Sequence, residues 1–374
     1  MLRFLTAGES HGPVLVAILE GMVAGLPIDP KALAYEMRRR QLGYGRGPRM
    51  QFETDTIELL SGLRRGKTLG SPVALQINNK DASIDRLPVV TQPRPGHADL
   101  TGAMKYDHRD IRNVLERASA RETAARVAIG AICKQFLSAL GIEMASHVIA
   151  LGTIRTTVQT PSVAKIRAKA EPNPLRCLDP QAAKRMMRQI DACVKAGDTL
   201  GGIFEMVVEG VPPGLGSYVQ YDRRLDALLG WSVLSIHAVK AVEVGDGVLA
   251  ASLPGSKFQD EIFYKKGKGF YRSSNRSGGF EGGMTTGEPI IVRGYLKPLS
   301  TLRKPLRSVE INTKRQVVAT VERSDVTTVP AAGVIGEAMI AFELSKAVLE
   351  KFGGDSLNEL QRNHRNYMKQ VQQF

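Results

Sequence analysis

Helical and strand-like periodicities follow one another irregularly along this chain. No unit of about thirty residues repeats in the strand–helix–strand order that a parallel sheet requires. A doubly wound nucleotide-binding fold is therefore not supported. The expected class is α+β, with residues 1–374 forming one large domain, since no composition break marks a linker and no internal repeat is visible. A chain of 374 residues, 43% of them hydrophobic, has enough apolar material for a large core.

Residues 2–6 read as a short strand that runs into 8-GESHG-12 and then into the apolar segment 13–26. Asp29-Pro30 is a helix start, with the carboxylate as cap and proline in the first turn. The helix over 31–41 ends in Arg38, Arg39 and Arg40, charges that suit the negative end of its dipole. A glycine-rich loop follows at 43–49, and residues 71–78 alternate as a strand does. The polar stretch 79–99 reads as a long loop closing on 94-RPGHAD-99, and loops of that length in compact proteins carry function or are disordered. Apolar positions at Val114, Leu115, Ala118, Val127, Ile132, Phe136 and Leu140 predict one helix over 111–141, stopped at Gly141. Asp179-Pro180 opens another helix to about 196. Further on, 202–211 and 290–296 read as strands, 222–234 as a helix, and 266–289 as a glycine-rich loop. The last helix is expected over 335–352, capped by Gly353.

The net charge of +14 admits three kinds of partner: nucleic acid, an acidic membrane surface, or strongly anionic small molecules. The arginines are dispersed rather than gathered in a tail, and many sit in loops, with glycine within two residues of Arg46, Arg49, Arg94 and Arg276 and a further loop arginine at Arg323. Such positions suit a close, bidentate grip on carboxylates and phosphates. For any single arginine the plainer reading is a solvated surface charge. No apolar run reaches the roughly 18 residues of a membrane span. The N-terminal residues lack the apolar core of a signal peptide, so a cytoplasmic location is expected. Cys133, Cys177 and Cys193 lack metal-ligand spacing and read as buried thiols, with no metal site expected.

The usual chemical signatures are missing. The nearest approach to a dinucleotide loop, 43-GYGRGP-48, follows a helix and lacks the third glycine; no Walker A loop, GxSxG, HxxxH or CxxC occurs. Two of the six histidines, His11 and His97, lie in glycine-flanked polar turns near arginines. A bound anion favours the charged form of a neighbouring histidine, which suits a general acid. His108, between acids in 106-YDHRD-110, reads as a surface ion-pair residue, and His147, His237 and His364 give no comparable signal. Ser10 has no evident third partner for a nucleophilic triad and reads as a hydrogen-bond donor. Asp325, in 323-RSD-325, is either a structural cap or a proton acceptor; spacing leaves both open.

Taken in order, 8-GESHG-12, 43-GYGRG-47, 94-RPGHADLTGAMKY-106, 117-RASARETAARVAIGA-131, 275-NRSGGFEGGMTTGEPI-290 and 323-RSDVTTVPAAGVIGEA-338 resemble chorismate synthase, collinearly and from end to end. The wording is that of the shorter bacterial, monofunctional type, without an appended flavin-reductase segment. The resemblance implies an α+β layered sandwich of antiparallel sheets and helices, assembled as a homotetramer. It implies a carbon–oxygen lyase that converts 5-enolpyruvylshikimate 3-phosphate to chorismate and phosphate by trans-1,4-elimination, the last step of the shikimate pathway to aromatic amino acids. Reduced FMN is required without net redox change and comes from an external reductant. The flavin lends electron density as the C–O bond cleaves, and its N5 region helps take the C6 hydrogen.

Carried over by motif, the resemblance gives Arg40, Arg46, Arg49, Arg94 and Arg121 to the substrate anions. His11 protonates the departing phosphate, His97 supplies a proton to the flavin ring, and Ser10 and Ser119 support them. Asp325 relays the abstracted proton. The flavin is cradled by Arg117, Ala118, Ser119, His237, Ala238, Gly282, Lys297, Pro298, Leu299, Ser300 and Thr301, with Arg323 near both ligands. So many negative charges in one water-poor site need fixed cations, which accounts for the loop arginines better than nucleic acid does. A flavin oxidoreductase with net electron transfer is the first alternative, but no nicotinamide fingerprint is present. An RNA-binding protein is the second; it calls for aromatic residues among the basic ones, whereas aromatics are 6% of the chain and Trp231 is the one tryptophan.

Overall fold

The GESHG turn joins the first two strands of an antiparallel sheet. In the computed structural model, which describes residues 1–47, 53–267, 269–322 and 324–374, strand β1 (Arg3–Ala7) pairs with β2 (Val14–Glu20), bringing Ala7 opposite Val16. Gly8 has a φ of +105°, and a Cβ there would lie 2.3 Å from the Val14 carbonyl oxygen, so this sharp entry to the turn needs glycine. Strands β3 (Ile57–Leu59) and β4 (Val73–Asn78) complete a four-stranded sheet in the order β1-β2-β4-β3. Alternation decides which face is buried: Leu15, Ala17 and Leu19 of β2 and Val73, Leu75 and Ile77 of β4 point to the core.

The second sheet has five antiparallel strands: β5 (Glu143–Leu151), β6 (Ile154–Arg155), β7 (Gly202–Glu209), β8 (Val239–Val244) and β9 (Ile290–Leu296), in the order β8-β9-β7-β5-β6. Helices fill the space between the sheets. Helix α2 (Thr123–Ser138) packs on the first sheet, the long helix α3 (Val329–Phe352) packs on the second, and helix α1 (Pro30–Gln41) packs against both of these helices. At Gly130 of α2 a Cβ would lie 2.2 Å from the Ala338 Cβ of α3, so the two helices approach through small residues. One buried apolar cluster runs from Leu2 to Leu360 and includes both sheets' inner faces. This is an α+β sandwich of antiparallel sheets with helices between them.

Helix α1 begins as expected: Asp29 accepts from the Lys31 N–H at 2.8 Å and Pro30 opens the first turn. Its C-terminal arginines do more than meet a dipole. Arg39 and Arg40 are buried, one toward the sandwich centre and the other toward a cleft.

The single helix expected over 111–141 is broken. A short helix, Arg112–Leu115, leads to extended backbone at Ser119 and a 3-10 turn at Ala120–Glu122 before α2 starts at Thr123. The interruption takes Ser119 out of helical conformation and onto the cleft wall, while Glu116 keeps its helical spacing to Arg112. The glycine-rich stretch 266–289 contains parts of two small hairpins, Ile262–Lys265 with Gly269–Arg272 and Phe280–Glu281 with Met284–Thr285. Helix α3 starts six residues earlier than expected, at Val329 with Pro330 in its first turn. It is not the last helix either: Leu357–Gln373 forms another, whose cap Ser356 accepts from the Glu359 N–H at 3.3 Å.

Candidate active site

A cleft of about 1320 Å³ collects the loops that carry the sequence motifs. On one wall, Asn79 fastens the GESHG turn, its Nδ2 donating to the carbonyls of Glu9 (3.1 Å) and Gly12 (2.7 Å). Ser10 is buried and its N–H donates to the Glu116 carbonyl at 3.0 Å. The Glu116 carboxylate then receives the His11 backbone N–H at 2.8 Å and stands 3.0 Å from the His11 Nδ1 with each of its oxygens. Arg112 approaches the same carboxylate at 3.3 Å and reaches Glu322 at 3.1 Å. Burial works to raise the Glu116 carboxyl, but the bonds from His11 and Arg112 hold it below the usual carboxylate value.

The second histidine is held in the same manner. His97 Nδ1 meets Asp99 Oδ1 at 2.5 Å, and Arg94 grips the same buried carboxylate through Nε at 2.8 Å and Nη2 at 3.0 Å. Burial would raise the Asp99 carboxyl, yet His97 and Arg94 together hold it well below the ordinary range. Arg94 Nη1 donates to Thr301 at 2.9 Å, and Lys297 Nζ and Ser300 Oγ both donate to the Gly96 carbonyl. The RPGH turn and the 297–301 loop are thus one unit. Gly96 has φ +77°, and a Cβ there would meet Lys297 Nζ at 3.1 Å.

Three arginines form the polar end. Arg121 donates to Asn79 Oδ1 at 2.8 Å and to Asp55, and lies 3.4 Å from Glu53. Arg40 Nη1 stands 3.4 Å from Asp55, and Arg46 Nη1 is 3.1 Å from Asp325. Asp325 also accepts the Gly47 N–H at 2.5 Å. Burial pulls the Arg40 guanidinium down to about 10; Asp55 opposes this, while Arg121 and Arg46 add to it. It remains charged at neutral pH. Burying these cations together is costly without counter-charge, and Arg40 Nε and Arg46 Nε are buried without a protein partner. Across the cleft His237 Nδ1 is buried and likewise unpartnered. Burial lowers the His237 imidazole below its usual value; Glu122 opposes this, and Arg126, His97 and Arg117 reinforce it. Beside it Ala238 adopts φ +68°, strained for a residue with a side chain, and its carbonyl is tied to the Lys297 N–H at 2.9 Å.

The family model for chorismate synthase matches residues 2–349. The chain belongs to the chorismate synthase family. It is 53% identical to the chorismate synthase of Symbiobacterium thermophilum, with 99% of each chain covered, and 52% identical to that of Desulforamulus reducens, with 100% of each covered. A crystal structure of a chorismate synthase superposes with a TM-score of 0.83 at 43% identity, over 100% of this chain and 99% of that one. The chain is accordingly a carbon–oxygen lyase that eliminates phosphate from 5-enolpyruvylshikimate 3-phosphate to give chorismate.

Set on the chorismate synthase fold, most of the residues singled out from sequence meet in this cleft: Ser10, His11, Arg40, Arg46, Arg94, His97, Ala118, Ser119, Arg121, His237, Ala238, Lys297 through Thr301, and Asp325. Two do not line it. Arg117 turns back onto the first strand, donating to the carbonyls of Gly8 (3.0 Å) and Thr6 (2.9 Å). Gly282 sits in a hairpin turn beside Tyr218. Arg49 and Arg323 lie outside the described residues.

Sequence reasoning missed the carboxylates that fix these cations and rings: Glu53, Asp55, Asp81, Glu116 and, as a partner, Asp99. Asp99 had a visible signal, standing two residues from His97. Glu116 had none, being 105 residues from His11. Among the described residues no helix is long and apolar enough to cross a membrane, and no group of three or more His, Cys, Asp or Glu could hold a metal ion.

Proposed function

We infer that this cleft is where the elimination takes place and that reduced FMN and 5-enolpyruvylshikimate 3-phosphate occupy it together. The observation that carries the reading is the meeting of two carboxylate-held histidines with Arg40, Arg46 and Arg121 in one cavity. The buried, unpartnered Nε atoms of Arg40 and Arg46 and Nδ1 of His237 fit ligands rich in acceptors. When bound, the reduced flavin supplies electron density to the breaking C–O bond without net oxidation.

The chain's own residues do the rest. Arg40, Arg46 and Arg121, with Arg49, grip the carboxylates and phosphate of the substrate. Carboxylate partners hold their guanidinium groups in place before the ligand arrives, which lowers the reorganisation needed at the reaction step. Arg94, whose Nε, Nη2 and Nη1 are engaged by Asp99 and Thr301, contributes chiefly by fixing His97. His11 donates a proton to the departing phosphate, a poor leaving group as a dianion. His97 keeps the flavin in its reactive protonation state. Asp325, held by Arg46 and Gly47, takes the C6 proton onward. Ser10 and Ser119 donate hydrogen bonds. Ala118, Ser119, His237, Ala238 and the 297–301 loop hold the flavin, joined by Arg323; Arg117 and Gly282, which do not line the cleft, take no part in holding it.

The reading extends to one 374-residue domain, a homotetramer in the cytoplasm, fed by an external flavin reductant and without nucleic-acid or membrane partners. Flavin binding tests it. FMN fluorescence should be quenched on titration, at one flavin per chain, and Lys297→Ala should weaken the binding about tenfold, the loss of one charge-assisted contact. Absence of binding in either redox state, with substrate present, would remove the basis for the assignment.

A further inference from the structure

We propose that Glu116 is the positioning residue for His11: it holds Nδ1–H of the ring and directs Nε2 to the substrate, so that the imidazolium gives up its Nε2 proton and the neutral ring left behind keeps its proton on Nδ1. The inference rests on the reading of His11 as proton donor to the leaving phosphate.

Three donors converge on this one carboxylate. They are the His11 backbone N–H (2.8 Å), the His11 ring at Nδ1 (3.0 Å to each oxygen) and Arg112 Nη1 (3.3 Å). The Glu116 side chain is 1% exposed, so water cannot take over as acceptor. The backbone contact sets the height of the ring, and the ring contact sets its rotation. A carboxylate on Nδ1 selects the tautomer protonated there, since an unprotonated Nδ1 would place lone pair against lone pair. With Nδ1 committed, Nε2 is the nitrogen left for chemistry. In this structure Asp81 Oδ2 lies 3.9 Å from Nε2. Arg112 keeps Glu116 charged and is itself anchored on the Pro88 carbonyl (2.7 Å) and Glu322 (3.1 Å). The break in the helix serves this contact: with the chain turned out of the helix at Ser119, the Glu116 carbonyl accepts from the Ser10 N–H, while the side chain of the same residue takes the His11 N–H and ring.

An amide has one acceptor oxygen where three donors meet. Glu116→Gln therefore has to give up at least one contact or place its NH₂ against a donor. The expected result is a loss in kcat of about 10²-fold, the lower end of what general acid catalysis contributes, with KM within about threefold. Nitrogen-15 NMR of the full-length protein labelled at histidine supplies a readout that a merely structural role would not move. In the wild type, neutral His11 should show a protonated Nδ1 and an unprotonated Nε2; in Glu116→Gln that preference should weaken or reverse.

The wild-type spectrum needs no variant, so a poorly folding Glu116→Gln protein does not remove the test. A neutral His11 protonated at Nε2 in the wild type would overturn the proposal. So would unchanged kcat in Glu116→Gln alongside a strongly impaired His11→Ala protein. Full activity in both variants would instead remove the role of His11 itself, a different failure.

Discussion

Arg39 Nη2 and the Glu337 carboxylate meet at 2.7 Å in the middle of the sandwich, with both side chains out of contact with solvent. Glu36, Glu171, Lys134, Arg176 and Ser146 complete the network around them. Arg39 is thereby pinned to the core at the end of α1, and the next residue, Arg40, faces the cleft. The active-site cation inherits its position from the buried pair.

Glu337→Gln should cost about 3–5 kcal/mol, because it leaves buried guanidinium and ammonium groups without their shared counter-charge. The sign with pH follows. Burial raises the Glu337 carboxyl, but Arg39, Lys134 and Arg176 overcome this and hold it well below its ordinary value. A depressed carboxyl stabilises the fold above the unfolded-state pKa of about 4.3 and stops doing so as pH falls toward its folded value. Urea unfolding from pH 7 down to pH 3 should show wild-type stability dropping in that acid window and the variant dropping less.

Arg40→Met should separate stability from binding. Arg40 is buried, has an unpartnered Nε and stands near Arg121 and Arg46, while Asp55 keeps Arg121 as a partner. The unliganded variant is expected within about 1 kcal/mol of wild type by denaturant unfolding. Its KM for the substrate should rise at least tenfold, or about 1.4 kcal/mol, through loss of a charge-assisted contact.

His11→Ala and His97→Ala should each lower kcat by about 10²–10⁴-fold while FMN still binds. Steady-state rates set beside a flavin titration check this. Full activity near neutral pH in either variant would remove that residue's role as a proton donor.

Asp325→Asn keeps the shape of the side chain and removes its ability to take a proton. A fall in kcat of about 10²-fold is expected, together with a larger kinetic isotope effect for substrate deuterated at C6. Equal isotope effects in variant and wild type, at equal kcat, would return Asp325 to a purely structural role.

Local signals in the chain were good guides wherever the cause of structure is local. Asp29-Pro30 and Asp179-Pro180 each open a helix at the expected residue, because cap and first turn are set by neighbours. The helix over Leu357–Gln373 also had a local signal, Ser356 followed by Glu359, but its mostly polar face hides the apolar period. The broken 111–141 segment was not legible. Its apolar spacing is helical and masks the one local sign, Ser119 capping the Arg121 N–H with Glu122 three residues on, while the contacts of Glu116 with the GESHG turn form only after folding. The site was readable to the extent that its chemistry lies in glycine-flanked arginine and histidine motifs. The partners that orient those groups come from distant parts of the chain and carry no mark of their own.

The most direct test of the account is anaerobic turnover. Full-length protein is mixed with 5-enolpyruvylshikimate 3-phosphate and a small amount of dithionite-reduced FMN, and chorismate and phosphate are followed together. The account predicts equal amounts of the two products, far in excess of the flavin supplied, with the flavin still reduced at the end. Product limited to the amount of flavin, or reductant consumed in step with chorismate, would contradict it.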